Sequence, residues 1–286
     1  MAERLSDVTA RIRTVHQLSA VITAMRGIAA ARSREARAHL DGIRAYADTI
    51  AAGIGHALAF LPVDERGTAL PSGPGLRLVI ALCAEQGFAG AFSEHVLEAA
   101  VAARGPDAGG GLFIVGDRGL LVAEERGLAW DWSAAMVGHP DQAARLASEI
   151  ADALFARLER VPVAQVCLLH AVPGGGEAME VATKQLVPFD FHRFPLARRA
   201  VPPLITLAPD VLLARLVAEY VFAEITEAVM LSFAAENEAR MRAMIAAHTN
   251  VENTLNTLVA RSRQLRQEEI TNEIVELAGG AAAHGG

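Results

Sequence analysis

Residues 5–54 read LSDVTARIRTVHQLSAVITAMRGIAAARSREARAHLDGIRAYADTIAAGI. Apolar or small side chains recur along this stretch at alternating spacings of three and four: Leu5, Val8, Ile12, Val15, Ser19, Ile22, then Ala29, Ala36, Leu40, Ile43, Ala47, Ile50 and Ile54. That alternation is the heptad period, by which a helix keeps one stripe turned toward a partner helix. No proline interrupts it before Pro62. The spacing therefore predicts one helix of roughly 50 residues, which at 1.5 Å per residue spans roughly 75 Å. Gly27, Gly42 and Gly53 weaken such a helix without ending it. A helix this long outruns any domain of a 286-residue chain, so its stripe requires an equally long partner.

The other end of the chain supplies one. Pro209 and Asp210 suit the first turn of a helix, and no Pro or Gly follows until Gly279 and Gly280, where a stop is expected. Met230, Ala234, Asn237, Met241, Met244, His248, Val251, Leu255, Leu258, Ser262 and Leu265 repeat the three-four alternation. Two long helices with one stripe each pair most economically as an antiparallel coiled coil. Asn237, His248 and Ser262 lie on one stripe and Ser19, Arg26 and Ser33 along the other. Polar seam positions fix register at a cost in stability or mark where a coil meets other proteins. His248 reads as a half-exposed imidazole in a loose seam rather than as a pH switch.

Between the helices the pattern shortens. Leu76 to Leu82 (LRLVIAL), Leu112 to Val115 and Val163 to Leu169 are compact apolar runs of buried-strand type, and Ser93 to Ala103 and Asp141 to Leu158 read as helices. Glu180 to Val187, entered through a Pro173–Gly176 turn, reads as one further strand. This alternation predicts a small Rossmann-like α/β domain with a mostly parallel sheet. The expected organisation is a coiled-coil helix at 1–60, an inserted α/β domain at 75–200, and a second coiled-coil helix with its tail at 208–286, with borders in the loops at Pro62 to Gly75 and Pro195 to Pro203.

Composition narrows the function. Twenty-six basic against 33 acidic residues leave a net charge of −7, which argues against non-specific nucleic-acid binding. Cys83 and Cys167 are the two cysteines and lie too far apart in sequence for a CxxC motif, which fits a reducing compartment. No stretch approaches the roughly 18 uninterrupted apolar residues of a membrane span. The nine histidines show no HExxH pairing. Gly87-Phe88-Ala89-Gly90 matches neither a dinucleotide fingerprint nor a phosphate loop, the sole lysine, Lys184, is elsewhere, and no GxSxG elbow occurs. Neither a catalytic residue nor a cofactor or metal site is expected. Gly109 to Gly111 read as a turn ahead of a strand.

The ends carry the specific signal. Ile22-Thr23-Ala24-Met25-Arg26-Gly27-Ile28-Ala29-Ala30-Ala31-Arg32 resembles the N-terminal motif of ATP synthase γ subunits. Ala235-Glu236-Asn237-Glu238-Ala239-Arg240-Met241-Arg242-Ala243-Met244, followed by Thr249-Asn250, resembles that family's second hallmark. Arg266-Gln267, then Ile270-Thr271-Asn272-Glu273-Ile274-Val275-Glu276, closing on Gly280-Ala281-Ala282, is similar to its C-terminal signature. The family's Gly-Leu-Cys-Gly stretch has drifted here to Gly87-Phe88-Ala89-Gly90.

The resemblance implies a torque-transmitting rotor shaft with no active site of its own. Its partners would be a hexamer of three α and three β subunits, an ε subunit and a membrane ring of c subunits, at the cytoplasmic face of a bacterial inner membrane. By motif match, Met25, Arg26, Arg240, Arg266, Gln267, Thr271 and Glu273 would touch the β subunits. Arg and Gln suit directional bonds to a partner's carboxylates and carbonyls, made and broken as the shaft turns. Periodicity alone also allows a coiled-coil scaffold or adaptor with an inserted α/β domain.

Overall fold

A computed structural model describes residues 4–62, 75–105, 110–174, 179–196 and 204–283, with side chains described as far as residue 275. Most of the two expected border loops (63–74 and 197–203), together with Gly109, Gly175 and Gly176, lies outside the described residues. Helix α1 covers Leu5–Ala59 and α5 covers Pro209–Ala283. The chain divides into two compact units, one made of Met1–Ile28 with Met241–Gly286 and the other of Ala29–Arg240.

α5 begins at the expected proline but passes the expected stop at Gly279–Gly280 and continues through Ala283. Glycine costs a helix about 1 kcal/mol relative to alanine but clashes with nothing, and the alanines that follow have the highest helix propensity. Only proline would have forced the break.

In the unit formed by Ala29–Arg240, a five-stranded sheet carries β1 (Leu76–Leu82), β2 (Gly111–Val115), β3 (Trp132–Ala134), β4 (Val163–Val172) and β5 (Glu180–Val187) in the order β3-β2-β1-β4-β5. All neighbours are parallel except β4 and β5. Helices α2 (Phe92–Arg104), α3 (Asp117–Glu125) and α4 (Ala143–Arg160) connect the strands. The three apolar runs, the Glu180 strand and the two connecting helices stand where the sequence placed them, within three residues at each end. α3 and β3 have no counterpart in the sequence reading. β3 is three residues long, too short to display an alternation, and α3 completes about two and a half turns, too few to establish a periodicity.

Strand alternation sorts the core into two layers. Leu78, Ile80 and Leu82 of β1 face Leu146, Ile150 and Leu154 of α4 and Val229 and Phe233 of α5, in a cluster that also takes Ala36, Leu40 and Ile54 of α1. Val79, Ala81 and Cys83 face the other way, onto Phe92, Val96 and Leu97 of α2 and Val122 of α3. α5 is thus enclosed by the sheet and by α1, which is why its residues 220–240 are buried almost all round. Where β2 turns into α3, Gly116 has φ 101°, and a Cβ there would lie 2.6 Å from the Cys83 carbonyl oxygen. The two strand ends approach too closely for any side chain.

A charged chain ties α1, α5 and β5 together. Arg44 Nε donates to Glu227 at 2.8 Å and Lys184 Nζ to the same carboxylate at 3.0 Å. Lys184 also pairs with Glu224, which has Arg193 at 3.6 Å. The only lysine therefore serves as a clamp between a sheet edge and a helix. Burial alone would raise the Glu227 carboxyl, but the bonds from Arg44 and Lys184 outweigh it and hold the group below its ordinary value. A carboxyl depressed by folding contributes stability that is complete above the unfolded value, about 4.3, and is lost as pH falls through the lower folded value. Glu227→Gln is expected to lower stability by about 2 kcal/mol at neutral pH. The gap from the parent, read from urea midpoints, should shrink as the pH is taken below about 4.

Candidate functional site

The unit formed by Met1–Ile28 and Met241–Gly286 carries six of the seven motif residues. Its helices lock through Val8, packed with Leu258 and Leu265 and flanked by Leu5, Ile12 and Val15. The expected seam positions from Leu5 to Ile22 on α1 and from Met241 to Leu265 on α5 are buried or half-buried, whereas Arg26, expected along the same seam, is exposed and Met25 beside it is half-buried. This is the covered stripe that the paired heptads imply. His248 is half-buried with Nδ1 3.6 Å from Glu252, one turn along α5.

Because Val8 already meets Leu265, among the described residues of α1 only the first turn remains to cover α5 beyond that leucine. The helix nevertheless goes on to Ala283, a further stretch of roughly 27 Å. Arg266, Gln267, Thr271 and Glu273 stand there, all exposed, as are Ile270, Ile274 and Val275. Thr271 donates its hydroxyl to the Gln267 carbonyl at 2.8 Å, an i to i−4 bond that uses the side chain locally. Ile274 and Val275 are more than 60% exposed. Large apolar side chains left in water beside Arg and Gln, at a helix end, are the chemistry of a protein-docking surface. Met25 is half-buried and Arg26 exposed on α1, and they lie about 20 residues, roughly 30 Å, along the helix from Leu5. The structure thus makes two separate stations of these motif residues rather than one patch.

Arg240, the seventh, belongs to the other unit and is 5% exposed. Its guanidinium is spent within the chain. Nε donates to the Gly87 carbonyl and Nη2 to the Gln86 carbonyl, both at 3.2 Å, while Nη1 reaches Asn237 at 3.1 Å and Nη2 also meets Glu236. Glu236, 3% exposed, accepts in addition from the backbone N–H groups of Glu85 and Gln86 at 3.4 Å. Burial pushes its carboxyl above the ordinary range against the pull of Arg240 and the two amides. Ser232 completes the join by donating to the Leu82 carbonyl at 3.0 Å.

The position of this cluster has a topological meaning. β1 leads through α2 to β2 on one side and α4 leads into β4 on the other, so the connections diverge at the carboxyl ends of β1 and β4. In open α/β sheets that divergence opens the crevice in which ligands bind, often with an anion on backbone N–H groups. Here α5 fills it, and the Glu236 carboxylate takes the amides. Glu85 turns the other way and receives the N–H groups of Asp117 at 3.2 Å and Met136 at 2.7 Å. Cys83, beneath the loop, is fully buried, and burial drives its thiol far above the ordinary range, where it is unreactive. No group of three or more His, Cys, Asp or Glu able to hold a metal occurs among the described residues. Sequence reading singled out Arg240 but passed over Glu236 and Glu85. The available signal was a Glu and an Arg four apart at the end of a mostly apolar helical stretch, because buried charges of that kind must be paired.

Comparison with known proteins places the whole chain. The ATP synthase family model matches residues 4–283. The ATP synthase gamma chain of Rubrobacter xylanophilus is 30% identical over 300 residues, covering 98% of each chain. That of Frankia casuarinae is 28% identical over 297 residues, covering 99% of this chain and 98% of its own. Among solved structures, a chain of the rotor of the Euglena gracilis mitochondrial ATP synthase superposes with a TM-score of 0.64 at 13% identity, over 93% of this chain and 98% of that one, a likeness of fold.

The two kinds of motif residue should separate in a stability measurement. Glu236→Ala strands the Arg240 guanidinium in the interior and is expected to cost about 3 to 5 kcal/mol. Arg266→Ala combined with Gln267→Ala should stay within about 0.5 kcal/mol of the parent in the same urea titration.

Proposed function

From the premise that the chain belongs to the ATP synthase gamma chain family, we propose how its described surfaces serve that role. The protein is the central shaft of a rotary ATP synthase. The observation that carries the reading is the single family match from residue 4 to 283, which takes in the inserted sheet as well as both helices. A free-standing scaffold with an unrelated insert has no reason to match throughout.

The partners we infer are an α3β3 hexamer around the long helices, with an ε subunit and a c ring at the inserted domain, at the cytoplasmic face of a bacterial inner membrane. The domain limits 1–60, 75–200 and 208–286 belong to the same proposal. So does a Rossmann-like descent for the insert, supported by its four parallel strands, with the ligand crevice given over to α5.

Met25, Arg26, Arg266, Gln267, Thr271 and Glu273 are then residues that meet β subunits directly, with Ile270 and Ile274 as their apolar complement. Arg240 serves that contact by presenting the Gln86–Phe88 segment it holds. A shaft that turns must break and remake each contact, so each is modest in strength, and rotation and nucleotide affinity are linked reciprocally. Exposed Arg and Gln at the end of α5 fit this, since each offers charge-assisted or amide bonds without being buried at rest.

Coexpression with the α and β subunits and reconstitution with the membrane sector tests the reading. Arg266→Ala with Gln267→Ala is expected to slow ATP-driven ion pumping roughly five- to thirty-fold, as two contacts of about 0.5 to 1 kcal/mol each would give. Pumping at the parental rate in a correctly assembled complex would remove these residues from the interface.

A further inference from the structure

The loop between β1 and α2 holds a conformation that its own sequence does not favour. Phe88 has φ 65°, the left-handed region, where a bulky side chain is a true outlier, and its ring is 67% exposed. An exposed aromatic gains nothing from burial that would offset such strain. Something outside the loop must hold it, and strain of this kind persists only where its surroundings over-determine the backbone.

The surroundings are on α5. Arg240 grips the carbonyls of Gln86 and Gly87, the two residues ahead of Phe88, and Glu236 grips the N–H groups of Glu85 and Gln86. Four backbone groups in three consecutive residues are thus bound by two side chains one helical turn apart. The planar fork of arginine is needed for this, because two carbonyls must be met from one group in fixed directions. The pair is buried, so neither side chain can release the loop without leaving a charge or polar groups unsatisfied.

We propose that Glu236 and Arg240 are positioning residues that hold the loop of residues 84–91 in its strained form and thereby carry the turning of α5 into the sheet. The inference rests on the shaft function stated above. It adds the point of transfer: torque passes from α5 to β1 through bonds to backbone, which do not depend on the loop's side chains. The drift of the family's Gly-Leu-Cys-Gly stretch to Gly87-Phe88-Ala89-Gly90 is tolerable for that reason, since the grip is on the main chain.

Arg240→Lys tests this, because lysine keeps the charge beside Glu236 and loses the fork. In the assembled complex, amide exchange at residues 85–88 is expected to quicken roughly tenfold while that of residues 78–82 in β1 stays at the parental rate. Ions pumped per ATP hydrolysed should fall at least about twofold. Loop protection equal to the parent's would overturn the clamp. A loosened loop with pumping per ATP unchanged would reduce the pair to a structural role and overturn the transfer. Adding Phe88→Asn, which tolerates the left-handed region, should recover at least about half of the lost protection, and no recovery would remove strain from the account. If the parent chain failed to assemble with α and β subunits, the shaft reading would fall, while exchange on the full chain would still decide the clamp.

Discussion

Helices of 55 and 75 residues must each bury a continuous apolar stripe, and that requirement organises the protein. No compact domain of this length presents a surface long enough. The solution is for each helix to use the other where both are slender, and for α5 to use a sheet where it is buried on nearly every side. The change of environment is written along α5 itself. From 220 to 240 it is core in the ordinary sense, from 241 to 265 it is half of a two-helix seam, and from 266 onward its described side chains are exposed.

This gradient carries functional meaning. A helix enclosed by a sheet is held in place, a two-helix seam is slim, and the end of α5 leaves Arg, Gln, Ile and Val in water, as the proposed contact with β subunits requires. The charges follow the same order. Glu224, Glu227, Glu236 and Arg240 lie where α5 is enclosed and are all paired within the chain, whereas Arg266, Gln267 and Glu273 are left exposed. Buried charges need partners at folding, and exposed ones are free to acquire them on assembly.

The inserted sheet is mostly parallel, with its connections diverging between β1 and β4. In open α/β sheets such a divergence leaves a crevice at the strand ends. A helix from the same chain occupies the crevice and offers a carboxylate to the amides. The consequence is that α5 side chains join the loop through its backbone groups, in addition to the apolar packing of helix on sheet.

Much of this was legible from sequence because it rests on local periodicity. The heptads gave both long helices and the seam positions from Leu5 to Ile54 and from Met230 to Leu265, with Arg26 as the exception that lies exposed, since a 3.5-residue repeat has one structural meaning over so many turns. Compact apolar runs placed β1, β2 and β4, and terminal motifs pointed to the family. α3 and β3 escaped because elements that short carry no period, and the extension of α5 through Gly279 and Gly280 escaped because glycine weakens a helix without forbidding it. The roles of Lys184, Glu236 and Arg240 could be decided only in three dimensions. Lys184 lies 43 residues from Glu227, and Arg240 lies 153 from Gly87. Nothing local states which distant backbone a side chain will reach, and that is settled by how sheet and helix pack.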